Sequence, residues 1–191
     1  FDKNGKLRMF REDKWGFIDK SGAVAVSPQF DAVQDFSEGL AGVAFDTVRT
    51  NHSCLHCDAN QHWGFINKQG KIVIQTKYHS VGPFSDGLAA AQNDDAKWGY
   101  INASGDIVIP FNFRWAGRFH EGLAAAAVDK NAGYIDKRGN FVVKPRFAIA
   151  GDFSGGLASV RVGGKTDSLL LGPAGGRWFF IGRDGATRIA L

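Results

Sequence analysis

Trp98-Gly99-Tyr100-Ile101-Asn102-Ala103-Ser104-Gly105 is the stretch that decides the fold. Its first residues read as a strand, whose side chains point alternately to opposite faces. Asn102 opens a turn, because its side chain can accept bonds from backbone N–H groups just ahead. Gly105 can take a positive φ, as a type I turn with a G1 bulge requires. Ile107-Val108-Ile109 is a β-branched return strand, and Pro110 is expected to end it by withholding a donor. Further on, Leu123-Ala124-Ala125-Ala126-Ala127-Val128 reads as a third strand, with Asp129-Lys130-Asn131 turning into the next unit. Alanine is a poor strand former, so that reading rests on repetition.

The same octet recurs. Trp15-Gly16-Phe17-Ile18-Asp19-Lys20-Ser21-Gly22 precedes it, as does Trp63-Gly64-Phe65-Ile66-Asn67-Lys68-Gln69-Gly70. Ala132-Gly133-Tyr134-Ile135-Asp136-Lys137-Arg138-Gly139 follows, then a decayed Trp178-Phe179-Phe180-Ile181-Gly182-Arg183-Asp184-Gly185. A second block trails each of the first four: Phe36-Ser37-Glu38-Gly39-Leu40, Phe84-Ser85-Asp86-Gly87-Leu88, Phe119-His120-Glu121-Gly122-Leu123 and Phe153-Ser154-Gly155-Gly156-Leu157. From the first residue of the octet to that Leu the offset is always 25 (15 to 40, 63 to 88, 98 to 123, 132 to 157). All variation in length therefore falls after the Leu-Ala block, as insertions at 47–61 and 163–176. The units are about 1–14 (partial), 15–46, 63–93, 98–130, 132–162 and 178–191 (partial), in one array over 1–191. Phe1-Asp2-Lys3-Asn4-Gly5 matches the middle of a unit, so either further array upstream or a cut boundary is expected.

Together with Lys14 and Lys97, which precede Trp15-Gly16 and Trp98-Gly99, these octets resemble the WG-repeat (KWG-repeat) family of bacterial proteins over nearly the whole chain. The resemblance implies an interaction module rather than an enzyme. Ala132 for Trp, Phe179 for Gly and Gly155 for the acidic residue depart from the pattern. They point to units near an end, or to a lost shared contact.

The expected fold is all-β: tandem repeats of about 34 residues (98 to 132), each a three-stranded antiparallel meander, stacked as an open array. A small closed β-propeller is the alternative. One meander cannot bury both faces, so Trp15, Trp63, Trp98 and Trp178, with Leu40, Leu88, Leu123 and Leu157, are expected to form the repeat core. The Gly after each Trp is expected to let a ring or a backbone approach closely. Glycine, at 25 of 191 residues, is about twice its usual ~7% share, which suits many tight turns. No run of about 18 apolar residues exists, so no membrane-spanning helix is expected.

Net charge is +4 overall, but residues 1–95 carry −2 and residues 96–191 carry +6. No basic run interleaves with aromatics, which argues against nucleic acid as a partner. Both cysteines and three of the five histidines fall in the first insertion or just beyond it: His52, Cys54, His56, Cys57 and His62. Cys54, Cys57, His52 and His62 could fill a tetrahedral zinc or copper site. The preferred reading is a Cys54–Cys57 disulfide in an extracytoplasmic, periplasmic or secreted protein, with no cofactor; free or redox-active thiols are the third reading. Gly163-Gly164-Lys165-Thr166 lacks the leading Gly of a phosphate loop, since Ser159 stands there. Glu38, Asp86 and Glu121 are read as caps on their own local backbone N–H groups. No nucleophile–base set appears, and His79 and His120 stand alone. The sequence thus points to a non-enzymatic scaffold for a protein or cell-surface polymer, with metal binding as the alternative.

Overall fold

The computed structural model describes residues 14–46, 61–163 and 176–190. Among these there is no helix, so none is long and apolar enough to cross a membrane. β1 (Trp15–Ile18) and β2 (Val24–Phe30) make a first, two-stranded sheet. The second sheet runs, in order, β3 (Ala32–Val33), β4 (Leu40–Asp46), β5 (Gln61–Asn67) and β6 (Ile72–Tyr78). The third is β7 (Ser80–Val81), β8 (Ala89–Gln92), β9 (Trp98–Ile101) and β10 (Ile107–Phe113). The fourth is β11 (Trp115–Ala116), β12 (Ala124–Ala127), β13 (Ala132–Ile135) and β14 (Phe141–Phe147). The fifth is β15 (Ile149–Ser154), β16 (Leu157–Val162), β17 (Arg177–Gly182) and β18 (Thr187–Ala190).

The all-β array of tandem antiparallel sheets is therefore present, with one correction to its unit. The four larger sheets have four strands, not three, and each straddles two sequence repeats. A repeat contributes the last two strands of one sheet, then the first two of the next. The extra strand is β3, β7, β11 or β15; the first three span two residues each, too few to show an alternating pattern. Substantial packing joins each sheet to the next, and the described sheets do not close on themselves. Each of the four core clusters lies between two consecutive sheets. Such a molecule is held by nearest-neighbour interfaces.

The octet folds as expected at its turn. The Oδ1 of Asn102 accepts from the N–H of Ser104 (3.0 Å) and of Asp106 (2.9 Å). Gly105 has φ 85°, and its N–H donates to the Asn102 carbonyl. Asp19, Asn67 and Asp136 repeat this arrangement. The alanine strand forms too: Ala124 to Ala127 are all buried and pair with Ile135 to Ala132.

The return strand differs from expectation. β10 does not stop at Pro110 but runs on to Phe113. Between the pairs Tyr100–Ile109 and Trp98–Phe113, β10 has two more residues than β9. Pro110 sits in this bulge on an edge strand, where no ladder donor is needed. The bulge folds the return strand back over the octet's glycine, so the close approach expected there is made by backbone. A Cβ on Gly99 would lie 2.6 Å from the Ile109 carbonyl oxygen.

Candidate functional site

The aromatic pair at the centre of each unit is not the tryptophan. Phe17–Phe36, Phe65–Phe84, Tyr100–Phe119 and Tyr134–Phe153 each have ring centroids 4.8 Å apart. The Tyr100 and Tyr134 hydroxyls donate to the Gly117 and Gly151 carbonyls, both at 2.8 Å. Burial pushes both phenols well above their ordinary pKa, so they remain donors.

The tryptophans sit at the sheet ends. Trp63 and Trp98 are half-buried against the core between their sheet and the next. Trp15 is 48% exposed and Trp178 39%, which corrects their placement in the core. Among the described residues β1 has only β2 beside it, without the flanking strand that Trp63 and Trp98 have. Trp178 lies in the fifth sheet, beyond which no further described sheet stacks. Leu88 and Leu123 are buried, while Leu40 and Leu157 are half-buried.

The recurring carboxylates, expected to cap their own turns, bond instead to the next repeat. Glu38 accepts from Gly87 N–H (3.0 Å), Asp86 from Gly122 N–H (2.7 Å) and Glu121 from Gly156 N–H (3.0 Å). Beside this ladder, Ser37 and Ser85 hydroxyls donate to the Phe84 and Phe119 carbonyls, each at 2.6 Å. Glu38, Asp86 and Glu121 have φ of 51°, 54° and 53°, a left-handed conformation that costs a non-glycine residue roughly 1–2 kcal/mol. Gly155 holds the same position at φ 59°, which glycine adopts without that cost. Asp86→Ala, which keeps the strain and loses the bond, is expected to cost about 1–3 kcal/mol in denaturant melts. Asp86→Gly relieves the strain and is expected to cost about 1 kcal/mol less than Asp86→Ala. Equal losses from both substitutions would rule out the strain argument.

The other sequence candidates are dispersed. His62 lies in β5, half-buried and opposite Phe45. His52, Cys54 and Cys57 lie outside the described residues, as do the disulfide and metal readings built on them. Gly164-Lys165-Thr166 lies outside them too. Among the described residues no cluster of three His, Cys, Asp or Glu side chains could hold a metal ion. His79 is exposed, and His120 Nε2 is 3.6 Å from an Asp152 carboxylate that also accepts from Arg118.

The feature missed by sequence reasoning lies at Ala132. Directly opposed residues across each sheet share one face. The second sheet has the row Ala32, Ala44, Trp63, Tyr78. The third has Ser80, Gln92, Trp98, Phe113. The fourth has Trp115, Ala127, Ala132, Phe147. The tryptophan has moved two strands along its row. From there its ring leans toward Gly117, where a Cβ would be 3.2 Å from the ring's Cη2. It does not refill the vacated place. A cleft of about 560 Å³ opens between the fourth and fifth sheets, lined by Arg114, Trp115, Ala127, Asp129, Lys130, Ala132, Ala148, Ile149 and Ala150. Four alanines, Ile149 and the 44% exposed Trp115 line it, and Arg114, Lys130 and Asp129 supply the charge. The size is that of an ordinary ligand pocket. The signal was available: a tryptophan lost at 132 and one gained at 115.

An open tandem β-repeat array is the class that this architecture defines. The model of the family described as WG containing repeat matches residues 15–46, 63–95, 98–131 and 133–165, and the chain belongs to that family. No curated protein matches it in sequence. Among solved structures it is similar to the computationally designed Ika8 protein, with a TM-score of 0.53 and 12% identity over 90% of this chain and 53% of that one. HIRA(644-1017) gives a TM-score of 0.48 and 8% identity, over 85% of this chain and 54% of that one. The chain thus spans about half the length of each.

Proposed function

We propose that this array is a non-enzymatic scaffold that binds a partner protein along one side. The observation carrying this reading is the placing of the hairpins joining the second and third strands of each four-stranded sheet. They recur at one position of the repeat, and in the sequence the variation in length falls there. They are short at 93–97 and 128–131, while residues 47–60 and 164–175 fall within the other two. A rigid framework with variable loops on one side is how repeat proteins present binding residues. The cleft opens beside Asp129 and Lys130, on that same side.

A photo-reactive residue at Asn93 or Lys130 tests the reading in cells that make the protein. Discrete adducts with one partner are expected from these sites. None is expected from Val108 or Val142, which are exposed on outer edge strands. Adducts from Val108 and Val142 alone would move the binding surface to the outer edge and overturn the proposal.

A further inference from the structure

We infer that the cleft at Ala132 is a socket for a single aromatic side chain, best an indole, carried on an acidic segment of a partner protein. The inference rests on the scaffold reading and names what one part of the binding side recognises.

The repeat itself supplies the first argument. Trp63 and Trp98 occupy the corresponding row position, each half-buried between its own sheet and the next. At Ala132 the backbone of that place is conserved in register, with Ala127 and Phe147 as its neighbours across the sheet, but the indole is missing. What remains is a space framed by the same kind of sheet-to-sheet interface that holds an indole elsewhere in this chain.

The lining supplies the second. Ala127, Ala132, Ala148, Ala150 and Ile149 offer an incoming ring only apolar side chains. Exposed Trp115 forms a wall against which a ring can pack edge-to-face or offset. An aromatic group gains more from this lining than an aliphatic one, because ring pairs interact beyond the area they bury.

Charge supplies the third. Two cations, Arg114 and Lys130, stand at the cleft with one acid, Asp129. Among the described residues, neither cation is ion-paired. The half of the sequence that carries them has a net charge of +6. Carboxylates flanking the inserted ring would meet this excess, which favours encounter and register.

The test uses the whole chain with alanine methyl groups labelled, observed by NMR. The probes are the blocked tripeptides acetyl-Glu-Trp-Asp-amide and acetyl-Glu-Ala-Asp-amide. The Trp peptide is expected to bind with a dissociation constant on the order of 0.1–1 mM, and to shift the Ala127, Ala132, Ala148 and Ala150 methyls by ring current. The Ala peptide is expected to bind at least tenfold more weakly. Ala132→Trp refills the place from within. It is expected to fold and to reduce peptide affinity at least tenfold. Lys130→Glu, an exposed change, is expected to reverse the preference for acidic over basic flanks. The inference is overturned by equal shifts from both peptides, or by undiminished binding to Ala132→Trp. It is also overturned if Ala132→Trp cannot fold, because the place would then not accept an indole. If the labelled methyls respond instead to rising protein concentration, the occupant is a second copy of this chain, and the partner assignment fails. Partner adducts from Lys130 that persist in Ala132→Trp would sink the socket while leaving the scaffold reading intact.

Discussion

Gly133→Ala is expected to unfold the fourth and fifth sheets at denaturant concentrations where the native chain is intact, a loss of about 3 kcal/mol or more. The reason is the bulge in β14. Two residues of β13, from Ala132 to Tyr134, face four-residue spacing on β14, from Phe147 to Val143. The surplus backbone lies on Gly133. An added Cβ would be 2.7 Å from the Pro145 nitrogen and 2.9 Å from the Lys144 carbonyl carbon, with the Val143 carbonyl oxygen nearer still. These are backbone atoms and cannot rotate away as a side-chain end would. Relief requires opening the bulge, and that changes the register holding Val143 and Phe147 in the core. Gly87→Ala is the control. It stands at φ 82° with nothing within 4 Å of an added Cβ, so only the conformational cost of about 1–2 kcal/mol applies. If the two substitutions cost the same, the bulge adapts and the argument is wrong. The chain contains its own supporting case. Where β18 pairs residue for residue through Phe179–Ala190, Phe179 occupies the glycine position.

What the sequence revealed followed the reach of its local signals. The turn at Asn102–Gly105 was legible because a side-chain acceptor and a positive-φ residue fall at fixed spacing. The array was legible because the 25-residue offset is constant. The turn at Glu38 was not, since nothing about Glu suggests a left-handed backbone. The pointer was Gly155 at the same position, a residue at ease with positive φ. Interactions between repeats leave no spacing signature within one repeat, so the carboxylates were assigned to their own turns. The two-residue strands were too short to show alternation, and Pro110 lost its meaning as a stop once β10 proved to be a bulged edge. The cleft was hidden for the same reason as the ladder. Ala132 and Trp115 belong to different sequence repeats yet share one row of one sheet.

Core assignment by residue type failed for Trp15 and Trp178, and the remaining large effect tests how much Trp98 contributes beside the buried ring pair. Phe119→Ala is expected to cost about 3–5 kcal/mol, and Trp98→Ala about 1–2 kcal/mol less than that. Phe119 is fully buried, 4.8 Å from the ring of Tyr100, in the cluster joining the third and fourth sheets. Its removal empties space that no solvent reaches, and it leaves Tyr100 without the nearer of its two ring partners while the Tyr100 hydroxyl stays tied to Gly117. Trp98 borders the same cluster from the sheet end, half-buried, so much of its truncation exposes surface to water rather than leaving a void. The ordering follows from position, since Trp is the larger side chain and would cost more at equal burial. In an array held by neighbouring interfaces, loss of Phe119 should also split the melt, because sheets on either side of the weakened joint can then unfold apart. Urea melts followed by amide exchange can read both effects. A larger loss from Trp98→Ala, with a single cooperative transition in both variants, would return the tryptophans to the centre of the core.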